Sequence, residues 1–123
     1  MLTTHSPVIW TSEHDEILLV EIRDGIDEGV TAGLRDVLAW AVDRYEGVVV
    51  DLSAATTIDR SGLSVLLQIQ ERAHLRDSRI HFAEPSTALR AALAALNADE
   101  MFEMFSRRSE AMARLRDEGA AAR

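Results

Sequence analysis

A chain of 123 residues can bury one core but not two, and its 47% apolar and 28% charged content is ordinary for a folded domain. Cysteine is absent, which excludes disulfides, thiolate zinc sites and cysteine nucleophiles. All 13 basic residues are arginines, which excludes Schiff-base lysines, a P-loop lysine and the lysine of receiver-type phosphorylation sites. The formal net charge of −8 repels a phosphate backbone, so no nucleic-acid partner is expected and a basic protein surface suits the chain better. No window holds the roughly 18 consecutive apolar residues of a membrane-spanning helix. Nor does a basic segment followed by an apolar run open the chain. Neither a membrane partner nor export is expected, and the cytoplasm is the default compartment.

The first fifteen residues are polar apart from Val8, Ile9 and Trp10, a patch that could form a short strand. Glu16 to Ile22 (EILLVEI) reads as a strand, followed by a turn at Asp24-Gly25. From Val30 to Tyr45 the period becomes helical: Val30, Leu34, Val37, Leu38, Ala41 and Tyr45 fall on one stripe, and Gly47 marks the end. Val48-Val49-Val50, closed by Asp51-Leu52, suits a central strand covered on both faces. A polar connector, Ser53 to Arg60, carries the apolar Ile58. Ser61-Gly62 then opens a second helix that runs to Leu75 and is apolar on nearly all sides. Arg79 to Ala83 reads as a strand, and Pro85 is placed to start a third helix lined by Leu89, Leu93 and Leu96. Met101 to Phe105 could form an edge strand, and Ser109 to Asp117 a last helix with Ala111, Met112 and Leu115 inward. Strands alternating with helices imply an α/β fold: a mixed sheet of four or five strands with about four helices packed on it.

The chemistry concentrates in Val48 to Leu67, where a central strand and a connector lead to a serine and a glycine at a helix start. Free N–H groups and the positive end of the helix dipole gather at such a start, so a phosphate on Ser61 would be well held there. It would also bring a charge of about −1.5 to −2. Gly62, without a side chain, would leave the hydroxyl approachable. Two local readings stay open at this stage. Ser61 has the properties of a modification site, yet serine at a helix start is most often a plain N-cap, and Asp59 is an equally good capping residue.

The motifs together resemble the STAS domain of anti-sigma factor antagonists. Asp51-Leu52 and Asp59-Arg60-Ser61-Gly62-Leu63 match the family's strand ending in Asp-Leu and its D-S-S-G-L helix start. Asp24-Gly25-Ile26-Asp27 resembles the G-x-x-D turn, Pro85 with Leu89 and Leu93 the third helix, and Glu110-Ala111 the last. The resemblance runs from about Glu16 to Leu115. It implies a domain over residues 16–117, which the sequence flanks with an N-terminal segment over 1–15, holding the possible short strand, and a frayed tail over 118–123. It further implies phosphorylation of Ser61 by a partner that is both serine kinase and anti-sigma factor, with a phosphatase to reverse it. The unphosphorylated form would capture the kinase, and the phosphorylated form would release it. Asp59 would hold the connector and cap the helix, and Asp27, Asp59, Arg60 and Gly62 would form or shape the partner-facing surface. Arg60 stands where the family has its first serine, beside the acceptor, where it could pair with a phosphate. Asp77-Ser78 and Asn97 stand where the family has glycine; both sites tolerate these turn residues.

Other chemistries fit less well. Asp51 ends an apolar strand as a receiver phosphoacceptor does, but the lysine such a site needs is missing. The sequence around Ser61 is not G-x-S-x-G, and His5, His14, His74 and His81 offer neither a base nor a metal pair; surface positions are expected for them. Glu13, Asp15 and Glu16 read as a solvated acidic face, and Trp40, just off the helical stripe, as core packing or a partner contact. No cofactor, metal or catalytic activity is expected. A non-switching STAS scaffold or accessory subunit, in a stress-signalling or lipid-transport complex, is the alternative. Whether the chain dimerises is left open.

Overall fold

The computed structural model describes residues 2–6 and 8–121. The elements run β1 (Leu2–Ser6), β2 (Ile9–His14), β3 (Ile17–Ile22), β4 (Asp24–Ile26), α1 (Thr31–Arg44), β5 (Gly47–Asp51), β6 (Ala55–Ile58), α2 (Arg60–Leu75), β7 (Arg79–Ala83), α3 (Thr87–Ala95), β8 (Met104–Phe105) and α4 (Arg108–Ala121). This is the mixed α/β sheet with four helices expected from the alternation. Six strands lie in the order β1-β2-β3-β5-β7-β8, with β1 and the two-residue β8 as edges. The first three pair antiparallel; β3, β5, β7 and β8 pair parallel.

Alternation along the strands divides the core in two. Leu18, Val20 and Ile22 of β3 pack with Val48, Val50 and Phe82 beneath Leu34 and Leu38 of α1, Val65, Leu66 and Ile69 of α2, and Leu89 and Leu93 of α3. Ile17, Leu19, Val49 and Ala83 face the other way, against Ala111 and Leu115 of α4, with Met112 partly buried. The central β5 is buried along its whole length, as its valine run implies. Helix α2 is less apolar in its setting than its composition suggests. Leu67 lies on its outer side and is exposed, while Leu63 is half-buried. Trp40 lies outside the core: its ring meets Tyr45 edge-on at 5.8 Å and it remains 40% exposed.

Turn chemistry explains several departures from glycine. A two-residue loop, Asp15-Glu16, joins β2 to β3 with both residues at positive φ, as the right-handed twist of a hairpin requires. The acidic cluster is therefore the hairpin tip and the end of β2, and it is exposed. Asp77 and Asn97 follow α2 and α3 at φ 55° each, the left-handed position that glycine usually takes. In both, the next amide reaches back to close the helix: Ser78 N–H to the Ala73 carbonyl and Ala98 N–H to that of Leu93.

Some elements lie where the sequence pattern is weak. The expected turn at Asp24-Gly25 is strand β4, and the polar connector contains strand β6; the two pair in parallel as a separate two-stranded sheet. Helix α3 is capped by Ser86, with Pro85 one residue outside rather than at its start. Helix α4 continues through Glu118 to Ala121, over part of the stretch expected to fray; residues 122 and 123 lie outside the described residues.

Candidate functional site at the start of helix α2

The small β4–β6 sheet sets the position of α2. Ile26 pairs with Ile58, the last residue of β6, so the chain enters α2 directly beside the end of β4. Contact there is close. A Cβ on Gly62 would lie 2.1 Å from the Ile26 carbonyl oxygen, far inside any tolerated distance. Gly62 is therefore required because helix and strand touch backbone to backbone. It is buried, and it shapes the surface from beneath rather than by keeping the hydroxyl approachable.

The capping question resolves in favour of Asp59. Its backbone is extended, and its Oδ1 accepts the Gly62 amide at 2.8 Å. Arg60 is the first helical residue, so Ser61 sits inside the first turn rather than at the cap. The Ser61 hydroxyl donates to the same Asp59 Oδ1 at 2.6 Å, a short charge-assisted bond. Asp59 Oδ2 accepts the Glu28 amide at 3.3 Å. Hydrogen bonds from Ser61 first, and from the Gly62 amide next, hold the Asp59 carboxyl below the usual carboxylate range.

Of the residues singled out from sequence, Asp27, Asp59, Arg60 and Ser61 come together at one end of the molecule, with Gly62 under them. Ser61 is half-buried; Asp27, Asp59 and Arg60 are exposed. Asp27 Oδ1 accepts the Gly29 amide at 2.9 Å, which shapes the turn into α1. Arg60 has no carboxylate within ion-pair distance among the described residues, so its guanidinium stands free of Asp59. Sequence reasoning missed the Glu28 amide and the Ile26 carbonyl. A signal for the second existed: glycine in a helix costs about 1 kcal/mol relative to alanine, so Gly62 implied a close approach.

The rival groups have structural partners. Asp51 is buried, its Oδ1 accepting the Ser53 amide at 2.9 Å and its Oδ2 facing Arg108 of α4 at 3.3 Å. His81 meets Glu118 at 2.9 Å and His14 meets Ser12 at 2.9 Å, while His74 is exposed. The side chain of His5 lies outside the described set. Among the described residues no helix is long and apolar enough to cross a membrane.

Fold and site together define a small α/β domain that presents a serine–carboxylate pair at the start of the helix following β6. The family model of the STAS domain matches residues 9–111, and the chain belongs to the STAS domain family. Its solved structural neighbours include anti-sigma factor antagonists. One is from Mycobacterium paratuberculosis, with a TM-score of 0.76 at 20% identity over 94% of this chain and 99% of that one. Another is unphosphorylated SpoIIAA, a Bacillus cell fate determinant, with a TM-score of 0.72 at 14% identity over 89% and 97%. A sulfate transporter family protein from Wolinella succinogenes is also similar, with a TM-score of 0.70 at 20% identity over 85% and 88%. At such identities the likeness is one of fold. No curated protein matches the sequence.

Proposed function

We propose that this protein is an anti-sigma factor antagonist: a binding module, not an enzyme, that captures an anti-sigma factor with serine-kinase activity and is released when Ser61 is phosphorylated. The observation that carries the reading is the Ser61 hydroxyl itself. It lies inside the first turn of α2, with its proton directed to Asp59 at 2.6 Å and no capping duty of its own. Its oxygen can therefore be modified without removing the helix cap directly. Asp27 and Asp59 give the surrounding surface an acidic character, which suits a basic partner face, and Arg60 stands beside the acceptor, where it can meet the new charge. A phosphate adds about −1.5 to −2 charge to this acidic surface, enough to oppose the docking that the neutral hydroxyl permits. A phosphatase completes the cycle.

Binding by two variants tests the reading. Ser61→Ala, used as bait in extract of the native host, should retain a serine-kinase anti-sigma protein, and Ser61→Asp should retain little. Equal capture by both would overturn it. Similarity to a sulfate transporter family protein favours a second reading, a non-switching accessory domain. Under that reading both variants bind the same partner alike.

A further inference from the structure

Segments far apart in sequence meet on one carboxylate. Asp59 Oδ1 accepts the Ser61 hydroxyl at 2.6 Å and the Gly62 amide at 2.8 Å, both within α2. Oδ2 accepts the amide of Glu28 at 3.3 Å, thirty-one residues upstream in the turn between β4 and α1. The Asp59 amide in turn donates to the Ile26 carbonyl at 3.3 Å. Asp27 builds that same turn: its carboxylate takes the Gly29 amide and its carbonyl takes the Val30 amide. A single side chain, that of Asp59, thus links Ser61 to the turn that Asp27 builds.

We propose that Asp59 couples the state of Ser61 to the turn at residues 27–30, so that phosphorylation reshapes the Asp27 side of the surface as well as charging the Ser61 side. The inference rests on the reading of Ser61 as phosphoacceptor. In the transfer, Ser61 Oγ bonds to the γ-phosphorus of a nucleoside triphosphate held by the kinase, the bond to the leaving diphosphate breaks, and the hydroxyl proton departs to solvent. Oγ is then an ester oxygen with nothing to donate. Two oxygens 2.6 Å apart with no proton between them repel, and a phosphate dianion pushes the Asp59 carboxylate further. As the carboxylate swings away, its longest bond fails first, and that is the 3.3 Å bond to Glu28. The Gly62 amide behaves differently, because the phosphate beside it can take over as acceptor. The expected signature is asymmetric: Glu28 loses its acceptor and Gly62 keeps one.

The test is amide hydrogen exchange by NMR on the full chain carrying phosphoserine at position 61, installed during translation, against the unmodified chain. Exchange at Glu28 should quicken about three- to tenfold, as loss of one exposed hydrogen bond implies, while Gly62 stays within about twofold. Asp59→Ala without phosphate should quicken Glu28 to a similar degree, and adding phosphoserine to that variant should add nothing further. Ser61→Ala, which removes the donor without adding charge and leaves the cap in place, should keep Glu28 protected. Unchanged Glu28 exchange in the phosphoserine chain would overturn the proposal. So would an undiminished phosphate effect in Asp59→Ala. Because no kinase takes part, a negative result leaves partner capture untouched, and a chain never phosphorylated in its host would defeat the switch while leaving the coupling measurable.

Discussion

Two helices carry a serine in or beside their first turn, and the two serines do different work. At α3, Ser86 is itself the cap: its Oγ accepts the Leu89 amide at 3.0 Å and donates to the Ala55 carbonyl at 2.6 Å. Both its donor and its acceptor are committed to the fold, so modification there would remove the helix cap. At α2, Asp59 caps and Ser61 merely donates to it, and among the described residues none donates a hydrogen bond to the serine oxygen. Residue type alone does not separate a capping serine from a modifiable one. What separates them is the position in the first turn, and that is set by what the helix start packs against.

Substitutions should break this contrast in a graded way. The largest effect belongs to Gly62→Ala. A methyl group 2.1 Å from the Ile26 carbonyl must push α2 off β4, at a cost of about 3 kcal/mol or more, and urea unfolding should show it. A midpoint close to wild type would mean that the two elements are not in backbone contact. Next comes Ser86→Ala, which removes a cap and leaves the buried Ala55 without its donor. A loss of about 1–2 kcal/mol is expected, readable in the same unfolding experiment.

Asp59→Asn should have a smaller effect, and one that depends on pH. The Ser61 hydroxyl and the Gly62 amide hold the carboxyl below its usual range. A folded-state pKa below the unfolded one means that the carboxylate stabilises the fold at neutral pH, and that this contribution fades as pH falls below about 4. The wild type should therefore lose stability on acidification more steeply than Asp59→Asn; parallel curves would contradict the bond network around Asp59. Smallest of all is Ser61→Ala, which removes a donor from an exposed carboxylate and should shift the unfolding midpoint little. A loss as large as that of Ser86→Ala would make Ser61 structural and erase the contrast.

Much of the frame was legible in the residues. The valine run of β5, the stripe on α1 and the positive-φ residues Asp77 and Asn97 each follow from local rules, and the structure places them as those rules require. The β4–β6 pair was not legible. It joins three polar-flanked residues to four others across some thirty positions, and neither strand is long enough to show a period. The same blindness left the cap open on local rules, and only the family resemblance put it on Asp59, where the structure has it. Asp59 and Ser61 are equally good capping types, and the register that chose Asp59 comes from Gly62 lying against Ile26, a contact between distant segments. Arg108 was hidden for a similar reason. Its reach to Glu21 and Asp51 depends on α4 crossing the second face of the sheet; the inward residues Ala111, Met112 and Leu115 mark a buried side of α4 but not which face of the sheet it covers.

Under the proposed switch Ser61 is the residue the cell modifies, and intact mass with peptide mapping on the protein purified from its own host is the decisive measurement. One added phosphate, located on Ser61 and absent from Ser86, is the predicted result. A chain unphosphorylated under every growth condition, or one phosphorylated elsewhere with Ser61 free, would contradict it.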